Sequence, residues 1–173
     1  MKANSKGNLE VDMKYEKSQT GWFMVGIFLL IFIHLTIAYY FQLGNKPLST
    51  TAFATLVVVF IIILLCFYRL KIRVDDVGIH IIYGIGLIHI KIAPTKVVQV
   101  KIVRNPWYFG WGIRFTNKGM LYNIQGSSAV EISYIDGKNK TVRIGTDDPL
   151  ALKEFLERKY EIDQNRTDTF FNN

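Results

Sequence analysis

The sequence predicts a membrane-spanning helical hairpin followed by a small, mainly β domain with one C-terminal helix. Three observations predict it: uncharged apolar runs at 22–41 and 49–68, alternating apolar and polar residues after Arg73, and an amphipathic segment after Asp148. Each run has about the 20 residues that a helix needs to cross a bilayer core. We predict a cytoplasmic N-terminal segment at 1–20, a hairpin at 21–69, a cytoplasmic β domain at 70–160 and a disordered tail at 161–173.

The two apolar runs favour membrane spans over other kinds of helix. A core helix of a soluble domain usually carries a polar stripe, and neither run has one. A secretory signal peptide has an apolar region of about 7–15 residues before a small-residue cleavage site. The first run is longer, and Tyr-Tyr-Phe-Gln stands at 39–42 instead of small residues. The single cysteine, Cys66, excludes an internal disulfide, and we interpret it as an apolar filler in the second span.

Basic residues beside the runs predict the orientation of the hairpin. Cytoplasmic flanks of membrane spans are enriched in Lys and Arg. The connecting turn carries only Lys46, whereas seven basic residues flank the outer ends: Lys2, Lys6, Lys14, Lys17, Arg69, Lys71 and Arg73. Both termini are therefore predicted to be cytoplasmic.

The net charge of +7 is concentrated in the part of the chain that follows the hairpin. Residues 69–118 contain nine Lys or Arg and two Asp, whereas acidic residues outnumber basic ones after that point. Anionic lipid attracts such a segment with about 1 kcal/mol per basic residue near the surface. The candidate lipid contacts are Arg69, Lys71, Arg73, Arg104 and Arg114. The alternative is that these side chains only keep strand faces soluble and satisfy the positive-inside bias.

Alternation after Arg73 predicts about seven short strands. They fall at 79–83, 88–92, 98–102, 112–116, 119–125, 129–135 and 141–145. Seven strands are too many for an open sheet beside one helix and enough for a small closed or sandwiched barrel. The helix after them begins with Asp148 as N-cap and Pro149 at its first position. Its apolar face is expected to cover an open end or edge of the barrel.

A loop between the predicted strands is the strongest interaction candidate, because four of its five residues from 107 to 111 are aromatic: Trp107, Tyr108, Phe109 and Trp111. Exposed rings would form a contact patch for another subunit or for the membrane interface. Rings turned inward would fill the core at a strand bend. The sequence leaves both alternatives open.

No catalytic residue, metal ligand or cofactor is predicted. His34 lies in the first predicted span, and His80 with His89 would supply at most two ligands if their strands pair antiparallel. Asp147 and Asp148 precede a proline, which favours helix capping over acid and base chemistry. Nucleic-acid binding is not expected of a membrane-tethered domain whose basic charge faces its own bilayer.

The order of elements resembles the bacterial pleckstrin-homology-like domain, in which seven strands in two roughly orthogonal sheets are capped by a C-terminal helix. The resemblance covers 70–160 and depends on Gly-Trp-Gly-Ile-Arg at 110–114, Leu-Tyr-Asn at 121–123, Ala-Val-Glu-Ile at 129–132 and Ile-Gly-Thr-Asp-Asp-Pro at 144–149. It implies a non-enzymatic binding or assembly module in a small bacterial membrane protein.

These observations predict a multi-pass protein of the bacterial inner membrane that acts in assembly or protein interaction. The expected partners are membrane lipids and a second copy or another membrane protein. The alternative function is an anionic-lipid sensor that uses the basic residues after the hairpin. A small transporter or an enzyme is a third interpretation, which needs polar groups that converge.

Overall fold

A computed structural model describes residues 14–162, which form three α-helices, a short 3-10 helix at Trp107–Phe109 and nine strands. The helices are α1 Trp22–Tyr40, α2 Thr50–Phe67 and α3 Pro149–Lys159. The strands are β1 Tyr15–Thr20, β2 Arg69–Asp75, β3 Gly78–Tyr83, β4 Ile88–Ile92, β5 Lys96–Arg104, β6 Gly112–Thr116, β7 Gly119–Asn123, β8 Ser128–Asp136 and β9 Lys138–Gly145. Most of the predicted tail, 163–173, and residues 1–13 of the predicted N-terminal segment lie outside the described residues.

The two apolar runs form α1 and α2, which are long and apolar enough to cross a membrane. Their bounds agree with the predicted spans to within one residue. No residue of either helix is buried among the described residues. The helices meet through ring contacts, with Tyr39 stacked on Phe53 at 4.3 Å and Phe28 against Phe60 at 5.4 Å.

The strands form two sheets, so the fold mixes helices with β structure. The first sheet has the order β1-β2-β3-β4, and all its neighbours are antiparallel. The second has the order β5-β8-β9-β7-β6, in which β7 and β9 are parallel. In the described part of the chain, no strand of one sheet pairs with a strand of the other. Of the two predicted alternatives, a closed or a sandwiched barrel, the closed form is therefore wrong, and β1, β4, β5 and β6 are left as sheet edges.

The predicted count of about seven strands is also wrong, because β1 and β2 were not counted. The sequence of β1 is mostly polar, and this strand is defined by its pairing with β2, from Tyr15 opposite Val74 to Thr20 opposite Arg69. Only Tyr68 separates the end of α2 at Phe67 from the start of β2 at Arg69, so the alternation of β2 is hidden beside the apolar run. The other seven strands lie where alternation predicts them.

The core lies between the two sheets and is closed on one side by α3. Leu152 and Leu156 of α3 are fully buried, and this helix contacts β5 and β8. The Asp148 carboxylate accepts a hydrogen bond from the Ala151 N–H at 3.2 Å, which caps the helix. Tyr15 of β1 packs on Phe155 at 5.4 Å. The helix therefore lies across one edge of each sheet. A closed barrel would need the strands at these edges to pair with each other.

Candidate functional site at the helix-proximal end

Both sheets have one end near the point where α1 begins and α2 ends, and we call it the helix-proximal end. Strand β1 leads into α1, and α2 leads into β2. The Gly21 N–H donates to the Tyr68 carbonyl at 2.9 Å, and Thr20 lies opposite Arg69. Because these pairings hold the two helix ends together, both ends of the hairpin lie on the same side as the sheets.

The β3–β4 turn, Gly84–Leu87, contacts the end of α2. The Ile85 N–H donates to the Leu65 carbonyl at 3.2 Å, and the Gly84 N–H donates to the Arg69 carbonyl at 2.7 Å. Gly84 has φ +57°, and a Cβ there would overlap the Leu65 carbonyl oxygen. Only glycine satisfies both conditions without strain. The turn exposes two apolar side chains, Ile85 at 59% and Leu87 at 66%.

The aromatic loop, residues 107–111, contacts the start of α1. The Trp111 ring lies 4.6 Å from the Phe23 ring, centroid to centroid. Trp107 is 91% exposed and Tyr108 67% exposed, whereas Phe109 and Trp111 are half-buried. The two alternatives left open by the sequence therefore each hold for part of the loop. Trp111 anchors it, and Trp107 with Tyr108 projects from it.

The basic residues of β2 do not form one cluster of free cations. The Arg69 guanidinium donates to the Ser18 hydroxyl at 2.7 Å. The Lys71 ammonium lies 2.7 Å from the Glu16 carboxylate, and Arg73 lies 3.3 Å from the Asp75 carboxylate. The pairing with Lys71 holds the pKa of Glu16 below its usual range.

The distance from the helix end also separates these three side chains. A strand rises about 3.3 Å per residue, so Lys71 and Arg73 lie about 7 and 13 Å beyond Arg69. Arg69 alone is adjacent to the helix end. The predicted lipid contacts at Lys71 and Arg73 are thus farther away and already paired with carboxylates.

Arg104 and Arg114 lie at the helix-proximal end, together with the aromatic loop. Arg104 is the exposed last residue of β5, and the next residue, Asn105, donates its N–H to the Ser127 carbonyl at 2.7 Å. Ser127 lines a cavity of about 340 Å³ with Phe23 and Trp111. The exposed Arg114 donates its Nε–H to the Trp111 carbonyl at 3.2 Å.

Tyr83 joins α2 to both sheets at this end. Its ring packs on Phe67 at 5.7 Å, and its hydroxyl donates to the carbonyls of Gly112 at 3.2 Å and Asn123 at 3.4 Å. The side chain is fully buried, and burial raises the pKa of its phenol above the ordinary value. The phenol therefore stays neutral and works as a structural donor.

Three polar side chains line up on the outer face of the first sheet. His80 Nδ1 and His89 Nε2 share a hydrogen bond at 2.9 Å, because β3 and β4 are antiparallel, and His80 Nε2 lies 3.2 Å from Asp75 Oδ1. Burial acts to raise the pKa of Asp75, but the Val77 N–H, His80 and Arg73 outweigh it and lower the pKa. Within residues 14–162, no group of three or more His, Cys, Asp or Glu side chains could hold a metal ion.

Sequence reasoning missed two features of this region. One is the buried Gln19, whose Nε2 donates to the Gly145 carbonyl at 2.9 Å and ties β1 to the second sheet. The other is the contact between the apolar Gly84–Leu87 turn and the end of α2, whose signal was the absence of charged residues between Arg73 and Lys91 apart from Asp75 and Asp76. Comparison of the chain with models of protein families, with curated proteins and with solved structures gives no match.

Proposed function

We propose that this chain is a non-enzymatic interaction and assembly module anchored in the bacterial inner membrane. Helices α1 and α2 would span the membrane, with both termini and both sheets at its cytoplasmic face. One observation carries the proposal: a single residue separates β1 from α1 and α2 from β2, and the two strands pair with each other, with Thr20 opposite Arg69. A domain joined in this way keeps a fixed orientation relative to the bilayer. Such a fixed orientation suits a module that presents a binding surface to other proteins.

The pleckstrin-homology-like assignment is part of the same proposal. Two antiparallel-rich sheets and a C-terminal helix that covers the core between them support it. In this interpretation β1 and β2 are both additions to the seven-strand pattern. They pair with each other and join the β domain to the anchor.

The proposed partner is a second copy of the chain, which would pack against the hairpin. Between α1 and α2 lies an apolar groove of about 260 Å³, lined by Val25, Phe28, Leu29, Phe32, Val57, Phe60, Ile61 and Leu64. Helices in a bilayer associate mainly through van der Waals packing, so an apolar concavity favours a helix as occupant. Lipid chains filling the groove are the alternative outcome of the test below.

Light scattering on the detergent-purified full chain, over a wide range of protein concentration, tests self-association. We expect a dimer or a larger oligomer that dissociates on dilution. Leu29→Trp fills the groove and should shift the equilibrium to monomer, whereas Leu30→Trp, at the next exposed position outside the groove lining, should not. A monomer at every concentration would contradict the assembly proposal.

Anionic-lipid binding is the second candidate, and it is favoured by Arg69, Arg104 and Arg114 at the helix-proximal end. Native mass spectrometry of the full chain, released from mixed anionic and neutral lipid, measures which lipids stay bound. Lipid sensing predicts preferential retention of anionic lipid that falls in the double variant Arg104→Gln/Arg114→Gln. Equal retention of both lipid classes by the unmodified chain would reject this function.

A further inference from the structure

We propose that two apolar loops of the β domain enter the interfacial layer of the membrane and seat the domain on the bilayer. The first is the Gly84–Leu87 turn, with Ile85 and Leu87, and the second is the projecting part of the aromatic loop, with Trp107 and Tyr108. We call them the interfacial loops. The inference depends on the membrane-spanning hairpin proposed above and adds a lipid-contacting surface to it.

The turn reaches the depth of the last helical turn of α2. The Ile85 N–H bonds to the carbonyl of Leu65, which lies four residues before the first charged residue, Arg69. At 1.5 Å per helical residue, that carbonyl is about 6 Å deeper along the helix than Arg69. A turn bonded there cannot remain in bulk water if α2 crosses the membrane up to Tyr68.

The aromatic loop stands at the same level on the other side of the hairpin. Trp111, the last residue of this loop, packs on Phe23, the second residue of α1, so the loop contacts α1 where its apolar run begins. Trp107 is only four residues from that contact. Trp and Tyr are the side chains most enriched at membrane interfaces, because their rings are apolar and their N–H or O–H groups remain hydrated.

The composition of the two loops fits the interface and differs from that of the remaining surface near the hairpin. No charged residue stands between Tyr83 and His89, or between Arg104 and Arg114. The two arginines bracket the second loop, where guanidinium groups would meet lipid phosphates. Large exposed apolar side chains bounded by basic residues are typical of membrane-contacting surfaces.

Two other exposed apolar residues lie at the opposite end of the sheets and serve as controls. Val77, 57% exposed, is in the β2–β3 turn, about seven strand residues from the helix end. Phe115, 85% exposed, is beside the β6–β7 hairpin, whereas the other end of that strand pair is Gly112 opposite Asn123. Both would face the cytoplasm. Because their side chains are exposed like those of the interfacial loops, only their position distinguishes them.

Depth-dependent fluorescence quenching in proteoliposomes tests the proposal with the full chain. In a Cys66→Ala background, single cysteines at Ile85, Trp107, Val77, Phe115 and Leu30 are labelled with an environment-sensitive fluorophore. The liposomes contain this protein alone at a high lipid-to-protein ratio. Quenching by two spin-labelled lipids, one with a shallow and one with a deep nitroxide, is compared with quenching by aqueous iodide. The replaced side chains at the four sheet-domain sites are exposed, and circular dichroism checks that each variant is folded.

We expect labels at 85 and 107 to be quenched several-fold more by the spin-labelled lipid than labels at 77 and 115, and several-fold less by iodide. The label at 30, in the middle of α1, reports the hairpin separately through the deep nitroxide, whereas the four labels on the β domain are compared through the shallow one. If the label at 30 is quenched by lipid but the labels at 85 and 107 behave like those at 77 and 115, the proposal of interfacial loops is overturned. The membrane-spanning hairpin would then remain supported. Protection from iodide at 85 and 107 without lipid quenching indicates a protein contact and also overturns the proposal. Absence of lipid quenching at 30 would overturn the hairpin and the interfacial loops together.

Discussion

Gly84 is the residue on which the junction between hairpin and domain depends most directly. Its left-handed backbone and its closeness to the Leu65 carbonyl exclude a side chain for two independent reasons. Gly86, in the same turn, has φ +100° but meets only a methyl group of Ile82 at 3.9 Å. Substitution at Gly86 therefore tests backbone strain alone, whereas substitution at Gly84 tests backbone strain together with steric overlap with α2.

Gly84→Ala is expected to lower the thermal unfolding midpoint of the detergent-purified chain clearly more than Gly86→Ala does. Left-handed strain costs an alanine about 1–2 kcal/mol at either position. At Gly84 the overlap with the helix end adds to that cost. Circular dichroism during heating measures both variants, and equal midpoints would show that the turn does not contact α2.

Asp75 is expected to make the stability of the fold depend on pH in the acid range. Its folded-state pKa is below the ordinary value of 3.8, so the carboxylate stabilises the fold above that pH, and this contribution is lost as pH falls through the folded pKa. Asp75→Asn should lower the unfolding midpoint at neutral pH and reduce its dependence on pH below about 4. The control is Asp76→Asn, which removes an exposed ion pair with Lys159. Equal acid profiles for Asp75→Asn and the unmodified chain would contradict the role of Asp75.

Among the elements, the sequence pattern predicts strands whose buried and exposed side chains alternate. It does not predict strands that form only because a distant strand pairs with them. Strand β3 could be predicted because Ile79, Ile81 and Tyr83 are buried on one face. Strand β1 could not, because its buried residue is the polar Gln19 and its partner β2 is some fifty residues away. The same limit applies to the candidate site. Lys71 and Arg73 are close to Arg69 in sequence, but the sequence does not reveal that each is paired with a carboxylate.

The docking of β1 on the second sheet should depend on Gln19. Gln19→Ala removes the hydrogen bond to the Gly145 carbonyl, and we expect a loss of about 1–2 kcal/mol in the free energy of unfolding. Glu16→Ala, on the same strand, removes an exposed ion pair with Lys71 and should change stability little. Urea titration in mild detergent compares the two, and a Gln19→Ala midpoint no lower than that of Glu16→Ala would contradict the docking role.

At the scale of the whole molecule, the chain combines an apolar hairpin with a two-sheet domain through paired strands. The apolar runs could be predicted to within one residue because twenty uncharged residues in sequence permit few other structures. The closed-barrel alternative is wrong because strand number does not specify closure: α3, with Leu152 and Leu156, occupies the side where closure would need strand pairing. The resulting platform has one end at the helices and one end facing away.

We propose above that the hairpin spans a membrane, which places its turn on one side and the β domain on the other. Single cysteines at Lys46, in the turn between the helices, and at Val77, at the far end of the first sheet, test it in the Cys66→Ala background. A membrane-impermeant maleimide is applied to bacterial spheroplasts that express the full chain, before and after permeabilisation. We expect labelling at 46 in intact spheroplasts and at 77 only after permeabilisation. Labelling of both sites in intact spheroplasts, or of neither before permeabilisation, would contradict it.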